Sequence, residues 1–497
     1  MPNAPDLMQQ VENMAVAAAL ERDADRGRLL EILLEVRDAK GGVGISKQGL
    51  MQVAERLHLF PAEAYEVATA FPAVNYAAAA PYATERCGDL VCALMHGTDA
   101  GVGVCRNRCD GARTEPDPRG FAAYRAAGGY QVLDRLRAYP GERTSLLERI
   151  ATHQAVGRAG VGFPVAEKWR QAMAVGRTPV IIVNGDEGEL AVFKDRFILE
   201  SDPHGVVEAA LVAARITSAD KIFFYVRDDY APIHAIVRRA MKDVVEAGFT
   251  DGITLELRRS GGAFICGEET ALIASLEGRP ARPVERPPFP TTRGYLGRPT
   301  ILHNVETYFR LRAAWSTIST PEVPVSSLLD AGVVLFSVSG RVQAPGPKPV
   351  RDLARLSDLV EAAGGLVGGV ELGGMVIGGS SGTIVSAADC QRPLADLKRE
   401  GLRLGTGGAI VFGADDDRRV IASRMAAYLA RESCGQCGPC RVGTGKARDV
   451  LAAPGTLDTA LIEDLSTVMT EASLCALGRN AGRFLSRLSP LLASQDA

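Results

Sequence analysis

No charge of one sign dominates this chain: 56 Lys and Arg face 59 Asp and Glu over 497 residues, giving a formal net charge of -3 with no run of basic residues. Neither nucleic acid nor an anionic membrane surface is therefore favoured as a partner. Long apolar runs are also missing. The longest candidate, Val206-Val-Glu-Ala-Ala-Leu-Val-Ala-Ala214, is interrupted by Glu208 and falls short of the roughly 20 apolar residues a transmembrane helix needs. The opening residues, Met1-Pro-Asn-Ala-Pro-Asp-Leu7, lack the basic and apolar regions of a secretory signal. Histidines number only six, and His153, His204, His234 and His303 show no catalytic or metal-binding spacing. Each is read as structural.

What is present suits a large globular protein. A hydrophobic fraction of 46% supports full-sized cores, and a length prior of roughly 150 residues per domain allows about three domains. Most of the ten cysteines are grouped at ligand-like spacings, which argues for metal ligation in a reducing compartment rather than disulfides. The cytoplasm is the expected location.

Helical spacing of apolar positions predicts a small helical module from about Leu7 to Ala70, its third helix opening at Pro61 and stopping at Phe71-Pro72. A Gly- and Cys-rich stretch follows from about Pro81 to Arg119, then helices over Phe121 to Arg137 and Ser145 to His153. Three apolar runs read as buried strands: Pro179 to Val183, Lys221 to Val226 and Ile253 to Leu257. Helical stretches at Gly205 to Ile216 and Ile233 to Ala247 separate them, so βαβ units are expected. The Pro-rich strip Arg279 to Pro290 reads as an extended surface clamp. Short strands at Gly332 to Val338 and Met375 to Gly378, with one helix near Leu356 to Ala363, predict a small α+β domain. After a strand at Ala409 to Phe412 the remainder is expected to be helical.

The most informative stretch is Cys434-Gly-Gln-Cys437-Gly-Pro-Cys440-Arg441. Three cysteines at C-x2-C-x2-C spacing supply three corners of a 4Fe-4S cluster, and Cys475, the only later cysteine, is the candidate for the fourth. Zinc is the alternative, although it usually takes paired knuckles. Three further segments carry glycines and charges. Gly157-Arg-Ala-Gly-Val-Gly162 resembles a phosphate cradle, with Arg158 and Lys168 beside it, but it follows a helix and lacks the G-x-G-x-x-G spacing; a plain turn is the alternative. Asn184-Gly-Asp-Glu-Gly-Glu189 follows a strand, where α/β sheets bind ligands; a solvated acidic turn is the alternative. Ser260 to Ala271 places Gly267, Glu268 and Glu269 just past another strand. Cys266 reads as a packed small apolar residue.

Together these segments resemble one family: the flavin subunit of respiratory complex I and its relatives in NAD-dependent formate dehydrogenases and NAD-reducing hydrogenases. The resemblance runs from about Phe121 to Leu488 through G-R-x-G-x-G-F-P-x-x-x-K-W, N-x-D-E-x-E-x-x-x-F-K-D-R, I-C-G-E-E-T-A-L, P-P-F-P, G-R-P-T-x-x-x-N-V-E-T and E-S-C-G-x-C-x-P-C-R. It implies an FMN-binding, Rossmann-like α/β domain at 119–324, a small β-grasp-like α+β domain at 325–400 and a C-terminal helical 4Fe-4S domain at 401–497. It further implies Gly157, Arg158, Gly160, Lys168, Asn184, Asp186, Glu187, Gly267 and Asn304 as flavin residues, with Glu268 in the same cofactor crevice. Phe163, Phe289, Glu189 and Glu269 would hold NAD(H), with Glu189 near the nicotinamide and no acid-base residue in the hydride step. The cluster ligands would be Cys434, Cys437, Cys440 and Cys475.

The amino-terminal third resembles the thioredoxin-like 2Fe-2S subunit that some of these enzymes fuse to the flavin subunit. Residues 1–80 would be its helical start and 81–118 a truncated remnant carrying Cys87, Cys92, Cys105 and Cys109. Those four cysteines could hold a 2Fe-2S cluster, hold zinc, or be vestigial thiols. Other positions also depart from the family pattern: Ala159, Ala166, Leu190-Ala191 in place of Pro-Gly, Phe264 in place of Tyr, and His303 in place of Asn. A β-carbon matters there only if the backbone needs a positive φ.

The functional expectation is an NADH:acceptor (diaphorase) subunit, because a flavin must convert two-electron hydride chemistry to one-electron cluster chemistry. The fusion, V-N-G-D-E-G-E and E-S-C-G-Q-C suggest the beta subunit of a formate dehydrogenase. Its partner would be an alpha subunit bearing a metal-pterin and further clusters, with a small 2Fe-2S subunit as an additional candidate. A hydrogenase or complex I flavin subunit is the alternative within the class, and a zinc-binding scaffold the alternative outside it.

Overall fold

A computed structural model describes residues 4–22, 24–78, 90–96, 118–153, 157, 162–316, 324–379 and 382–488. Arg158, Gly160, Cys87, Cys105 and Cys109 lie outside the described residues, as does Ala159.

Four strands, β1 (Val180–Gly185), β2 (Lys221–Arg227), β3 (Thr254–Ser260) and β4 (Thr300–Asn304), form a wholly parallel sheet in the order β3-β2-β1-β4. The first three are those expected from their apolar runs. β4 was not anticipated; it pairs with β1 from Val180↔Thr300 to Asn184↔Asn304.

Alternate strand residues face opposite sides of the sheet. Ile181, Val183, Ile222, Phe224, Val226 and Ile301 pack with the helices Pro203–Thr217, Ala231–Glu246 and Val305–Leu311. Val180, Ile182, Phe223, Tyr225 and Leu302 pack on the other face, against the helix Glu269–Leu276 and the amino-terminal helices. The topology accounts for this split. Two successive crossovers step the same way across the sheet and place their helices on one face, while β3 to β4 returns to the opposite edge and places its helix on the other.

The amino-terminal module therefore forms a layer of the flavin domain rather than an appendage. Its helix Leu29–Ala39 is buried along Leu29, Leu33, Leu34 and Val36. Buried ion pairs fix its position: Glu31 with Arg258, and Arg37 with Asp228 at 2.7 Å.

A second sheet has the order β6-β5-β9-β7-β8, with β5 (Val333–Gly340), β6 (Gly346–Arg351), β7 (Leu372–Ile377), β8 (Thr383–Ser386) and β9 (Gly408–Gly413). β9, expected to lead into the helical region, is instead the central strand, parallel to β5 and antiparallel to β7. The expected 400/401 division thus falls within this sheet's sequence. The helices Arg418–Arg431, Gly438–Ala452, Thr459–Ala472 and Ala476–Ser486 complete the described chain. Among the described residues, no helix is long and apolar enough to cross a membrane.

Candidate active site and metal centre

Because β1, β3 and β4 are parallel, the segments after each lie at one end of the sheet. Asn184 and Asn304 are register partners there. Asn184 Nδ2 donates to the Gly267 carbonyl at 3.0 Å, and its Oδ1 accepts the Asp186 N–H at 3.0 Å, so the β1 and β3 loops are locked together. Asp186 is buried, and its Oδ1 accepts the Ser260 hydroxyl. Its Oδ2 is buried without a partner. A β-carbon on Gly267 would lie 3.1 Å from the Asp186 carbonyl and 3.7 Å from that Oδ2, so glycine keeps the approach to the orphaned acceptor open.

Burial pushes the Asp186 carboxyl up to about 7, opposed by the Arg227 guanidinium and the Ser260 hydroxyl. Burial also raises Glu187 to about 7, helped by the Asp195 charge.

Several motif carboxylates and amides are committed to the protein itself. Glu187 accepts the N–H groups of Asp195 at 2.9 Å and Arg196 at 3.3 Å, capping the helix Lys194–Ser201. Glu268 caps Glu269–Leu276 through the Thr270 and Ala271 N–H groups, both at 2.9 Å. Asn304 caps Val305–Leu311 through the Glu306 N–H, and its amide also bonds Asp195 at 2.6 Å and the Asn184 carbonyl at 3.3 Å. Burial would lower the Lys194 pKa, yet Asp195, Glu306 and Glu187 outweigh it and raise the net value.

The mouth of the crevice is more open. Lys168, on the helix Val165–Ala174, pairs with Glu269 and donates to the Leu302 carbonyl at 2.8 Å. Arg286, from the Pro-rich strip, joins Glu268 at 3.3 Å and Glu269 at 3.2 Å. Gly157 is half-buried. Phe163 and Phe289 leave 42% and 54% of their surface to solvent, large for aromatic rings. Glu189 turns toward the second sheet, where its Oε2 accepts the Thr406 hydroxyl. Thr406, Ser260, Arg286 and Lys194 were not singled out in the sequence. Lys194 lay inside F-K-D-R, Ser260 opened the segment Ser260 to Ala271 and Arg286 lay in the Pro-rich strip, whereas Thr406 carried no motif signal.

The cysteine cage adjoins this crevice. Glu432 accepts the Phe264 N–H at 3.0 Å, and the Tyr428 hydroxyl donates to the Gly188 carbonyl at 2.8 Å. Cys437 sits at the N-cap of Gly438–Ala452, Cys440 in its first turn, and Cys475 at the N-cap of Ala476–Ser486. Two helix N-termini thus approach the thiols, a favourable field for thiolates. Burial pushes the Cys440 thiol up to about 12; Ser433, 3.3 Å from its sulfur, opposes that, while Cys437, Cys475 and Cys434 add to it. Cys475 is raised by burial and by Cys434, with the Leu477 and Gly478 N–H groups opposing.

All four thiols therefore share one site. Among the described residues, however, no three His, Cys, Asp or Glu side chains converge tightly enough for a single metal ion.

Of the other cysteines, Cys92 lies half-buried on the helix Leu90–His96. Leu90, Val91 and Leu94 of that helix pack in one apolar cluster with Leu190, Ala191 and Phe193. The Leu190-Ala191 departure is thereby explained in part: it supplies apolar surface to this cluster. It also carries strain, since Ala191 has φ +57°, the left-handed region suited to glycine. Ala166 lies inside a helix and carries no such strain. His303 is buried, with Nε2 accepting from Trp169 Nε1 at 3.0 Å; burial and Lys168 hold its pKa well below the usual range.

Comparison with known proteins agrees with this architecture. Residues 150–313 match the Nuo51 FMN-binding domain, residues 420–489 the NADH-ubiquinone oxidoreductase-F iron-sulfur binding region, and residues 15–122 the thioredoxin-like [2Fe-2S] ferredoxin family. The chain is 32% identical over 394 residues to the F subunit of NADH-quinone oxidoreductase from Aquifex aeolicus, covering 75% of this chain and 89% of that one. It is 31% identical over 403 residues to the HndC subunit of NADP-reducing hydrogenase from Solidesulfovibrio fructosivorans, covering 76% and 79%. A chain in the crystal structure of NAD+-reducing [NiFe]-hydrogenase in the H2-reduced state superposes with a TM-score of 0.76 at 27% identity, covering 95% of this chain and 94% of that one.

The chain belongs to the family of NADH-oxidising flavin subunits typified by that of NADH-quinone oxidoreductase. It is an oxidoreductase subunit with an FMN-binding domain, a 4Fe-4S binding region and a thioredoxin-like 2Fe-2S domain, and NADH is its substrate. The matched proteins are named as subunits of larger enzymes.

Proposed function

We propose that this chain is the diaphorase, or beta, subunit of an NAD-dependent formate dehydrogenase. It would exchange electrons between NAD(H) and an alpha subunit that carries a metal-pterin and further clusters. The observation that carries the diaphorase part is the adjacency of two sites: a strand-end crevice with an orphaned buried acceptor on Asp186, and a four-thiol cage joined to it through Glu432. The formate dehydrogenase assignment rests on the fused cysteine-rich segment and on V-N-G-D-E-G-E and E-S-C-G-Q-C. A hydrogenase diaphorase is the second reading, favoured by the 95% coverage of the superposed hydrogenase chain.

FMN, when bound, accepts a hydride as an electron pair and returns the electrons singly. The protein's part is to bind, orient and shield. In this reading Asp186 Oδ2 accepts a ring N–H or ribityl hydroxyl, and Gly267 leaves room for it. Gly157, Arg158, Gly160 and Lys168 hold the phosphate end. Asn184, Glu187, Glu268 and Asn304 keep the loops in shape through the caps and bridges described above. Phe163 and Phe289 offer open ring faces for stacking the dinucleotide, while Glu189 and Glu269 orient it. Cys434, Cys437, Cys440 and Cys475 ligate the 4Fe-4S cluster, and Cys87, Cys92, Cys105 and Cys109 the 2Fe-2S cluster. The domain limits are 1–80, 81–118, 119–324, 325–413 and 414–497, the last boundary moved from 400 to follow Gly413 at the end of β9. The cysteine usage supports a cytoplasmic setting.

Anaerobic purification with co-purified partners tests the proposal. One FMN per chain, about six irons, NADH-dependent bleaching and formate-dependent NAD+ reduction are expected. Hydrogen-dependent NAD+ reduction without formate activity would move the assignment to the second reading. A colourless zinc protein would overturn the diaphorase itself.

A further inference from the structure

We propose that Thr406 is a positioning residue for Glu189, so that the second sheet sets where this carboxylate meets the dinucleotide. The inference rests on the reading of Glu189 as a nicotinamide-side residue.

Glu189 follows β1 and is half-buried, and its Oε2 accepts a hydroxyl from a residue 217 positions further along the chain. Thr406 stands in the turn that enters β9, where the Gly407 N–H bonds the Leu404 carbonyl at 3.0 Å. Behind the carboxylate lies Gly379, just after β7, with φ +67°. A β-carbon there would overlap Glu189 Oε2 and lie 2.7 Å from Thr406 Oγ1. Gly408 closes the slot: its β-carbon would lie 3.2 Å from Gly379 Cα and 2.9 Å from Val192 Cγ2. The carboxylate of a flavin-domain loop is therefore seated in a notch built by two elements of the other sheet. The notch admits it because glycine occupies position 379.

Such a seat does two things. It removes rotamer freedom that a free glutamate would otherwise lose on binding the dinucleotide. It also ties the geometry of the binding loop to the packing of β7 and β9, since the hydroxyl donor moves with that sheet. A hydroxyl-to-carboxylate bond is charge-assisted and therefore short and directional, so an isosteric loss of the hydroxyl should be felt at the site without opening the fold.

The test compares Thr406→Val, Thr406→Ser, Glu189→Gln and the Thr406→Val/Glu189→Gln double variant, using the full chain with its flavin bound. Steady-state NADH oxidation with ferricyanide gives kcat and KM. Titration of the flavin absorbance with NAD+ gives an affinity independent of turnover, and the melting temperature monitors the fold. Thr406→Val is expected to lower kcat/KM roughly tenfold, mainly through KM, and to weaken NAD+ binding with an unchanged melting temperature. Thr406→Ser should restore both, and Thr406→Val should add nothing in the Glu189→Gln background.

Wild-type kinetics for Thr406→Val beside an impaired Glu189→Gln would overturn the positioning role. Wild-type kinetics for Glu189→Gln would instead remove Glu189 from the dinucleotide site. If Thr406→Val melts early, Thr406→Ala replaces it, because it removes the same hydroxyl without adding a second methyl group to the notch. The same rise in KM is expected there, and an unchanged KM overturns the inference.

Discussion

The crevice and the cysteine cage lie against each other but are built on opposite terms. In the cage the Cys440 thiol is raised by the other three motif cysteines, and Cys440 and Cys475 are buried. In the crevice the motif residues divide into two groups. Asp186 keeps an open acceptor, whereas Glu187, Glu268 and Asn304 cap helices with the groups a ligand would otherwise use. A soft-metal site needs every ligand to point inward. An organic cofactor is held by a few groups, and the loops presenting those groups must themselves be held, so membership of a binding motif does not mean contact with the cofactor.

This contrast is tested most severely by Cys475→Ser. It should abolish the 4Fe-4S signal in electron paramagnetic resonance and lower the iron content by about four atoms while flavin absorbance persists. Simultaneous loss of FMN would show that the two sites fold as one.

Asp186→Asn should act on the crevice alone. The Asp186 carboxyl titrates near 7 in the folded chain and near its ordinary value of about 3.9 in the unfolded one. Between these values the folded state holds the extra proton, so stability falls as pH rises from about 4 to about 7. Glu187 acts in the same direction. The flavin-free asparagine variant should therefore melt above wild type at pH 8, by on the order of 1–3 kcal/mol, with the gap closing toward pH 4. Its FMN affinity should fall about tenfold or more through the changed acceptor. Calorimetry and fluorescence titration read the two effects separately, and equal melting at pH 8 would contradict the burial argument.

A smaller change is expected from Glu268→Ala. Loss of the cap on Glu269–Leu276 should cost about 1 kcal/mol and leave FMN affinity within roughly twofold. A large affinity loss would move Glu268 from the bracing group to the contacting one.

The smallest effect belongs to Ala191→Gly. Relief of the left-handed alanine, worth about 1–2 kcal/mol, is offset by the roughly 0.5–1 kcal/mol that glycine loses on ordering. A gain of a few tenths to about 1 kcal/mol in denaturant unfolding is the expected result.

Regular patterns made much of the fold and both sites legible. The runs at β1, β2 and β3 are long and apolar because both faces of a parallel sheet are buried. The cysteine triplet is local, so its chemistry follows from spacing alone. Thr300–Asn304 escaped because it is short and mixes polar residues into a strand. β6 escaped because Pro347 and Pro349 demote it, a pairing tolerated only at the sheet edge it occupies.

What the sequence determined by itself is the class of chemistry: the thiols for iron and sulfur, the strand-end glycines and carboxylates for a flavin, and the helical periodicity of the amino-terminal module. Tertiary structure decided the rest. It made that module a face of the flavin sheet, turned Glu187 and Glu268 inward as caps, placed Leu190 and Ala191 in the apolar cluster that also takes in the helix Leu90–His96, and brought Thr406 to Glu189. The caps are local, spanning 2 to 9 positions; the other relations join residues tens to hundreds of positions apart, and no local period or spacing encodes which distant side chain fills a buried valence.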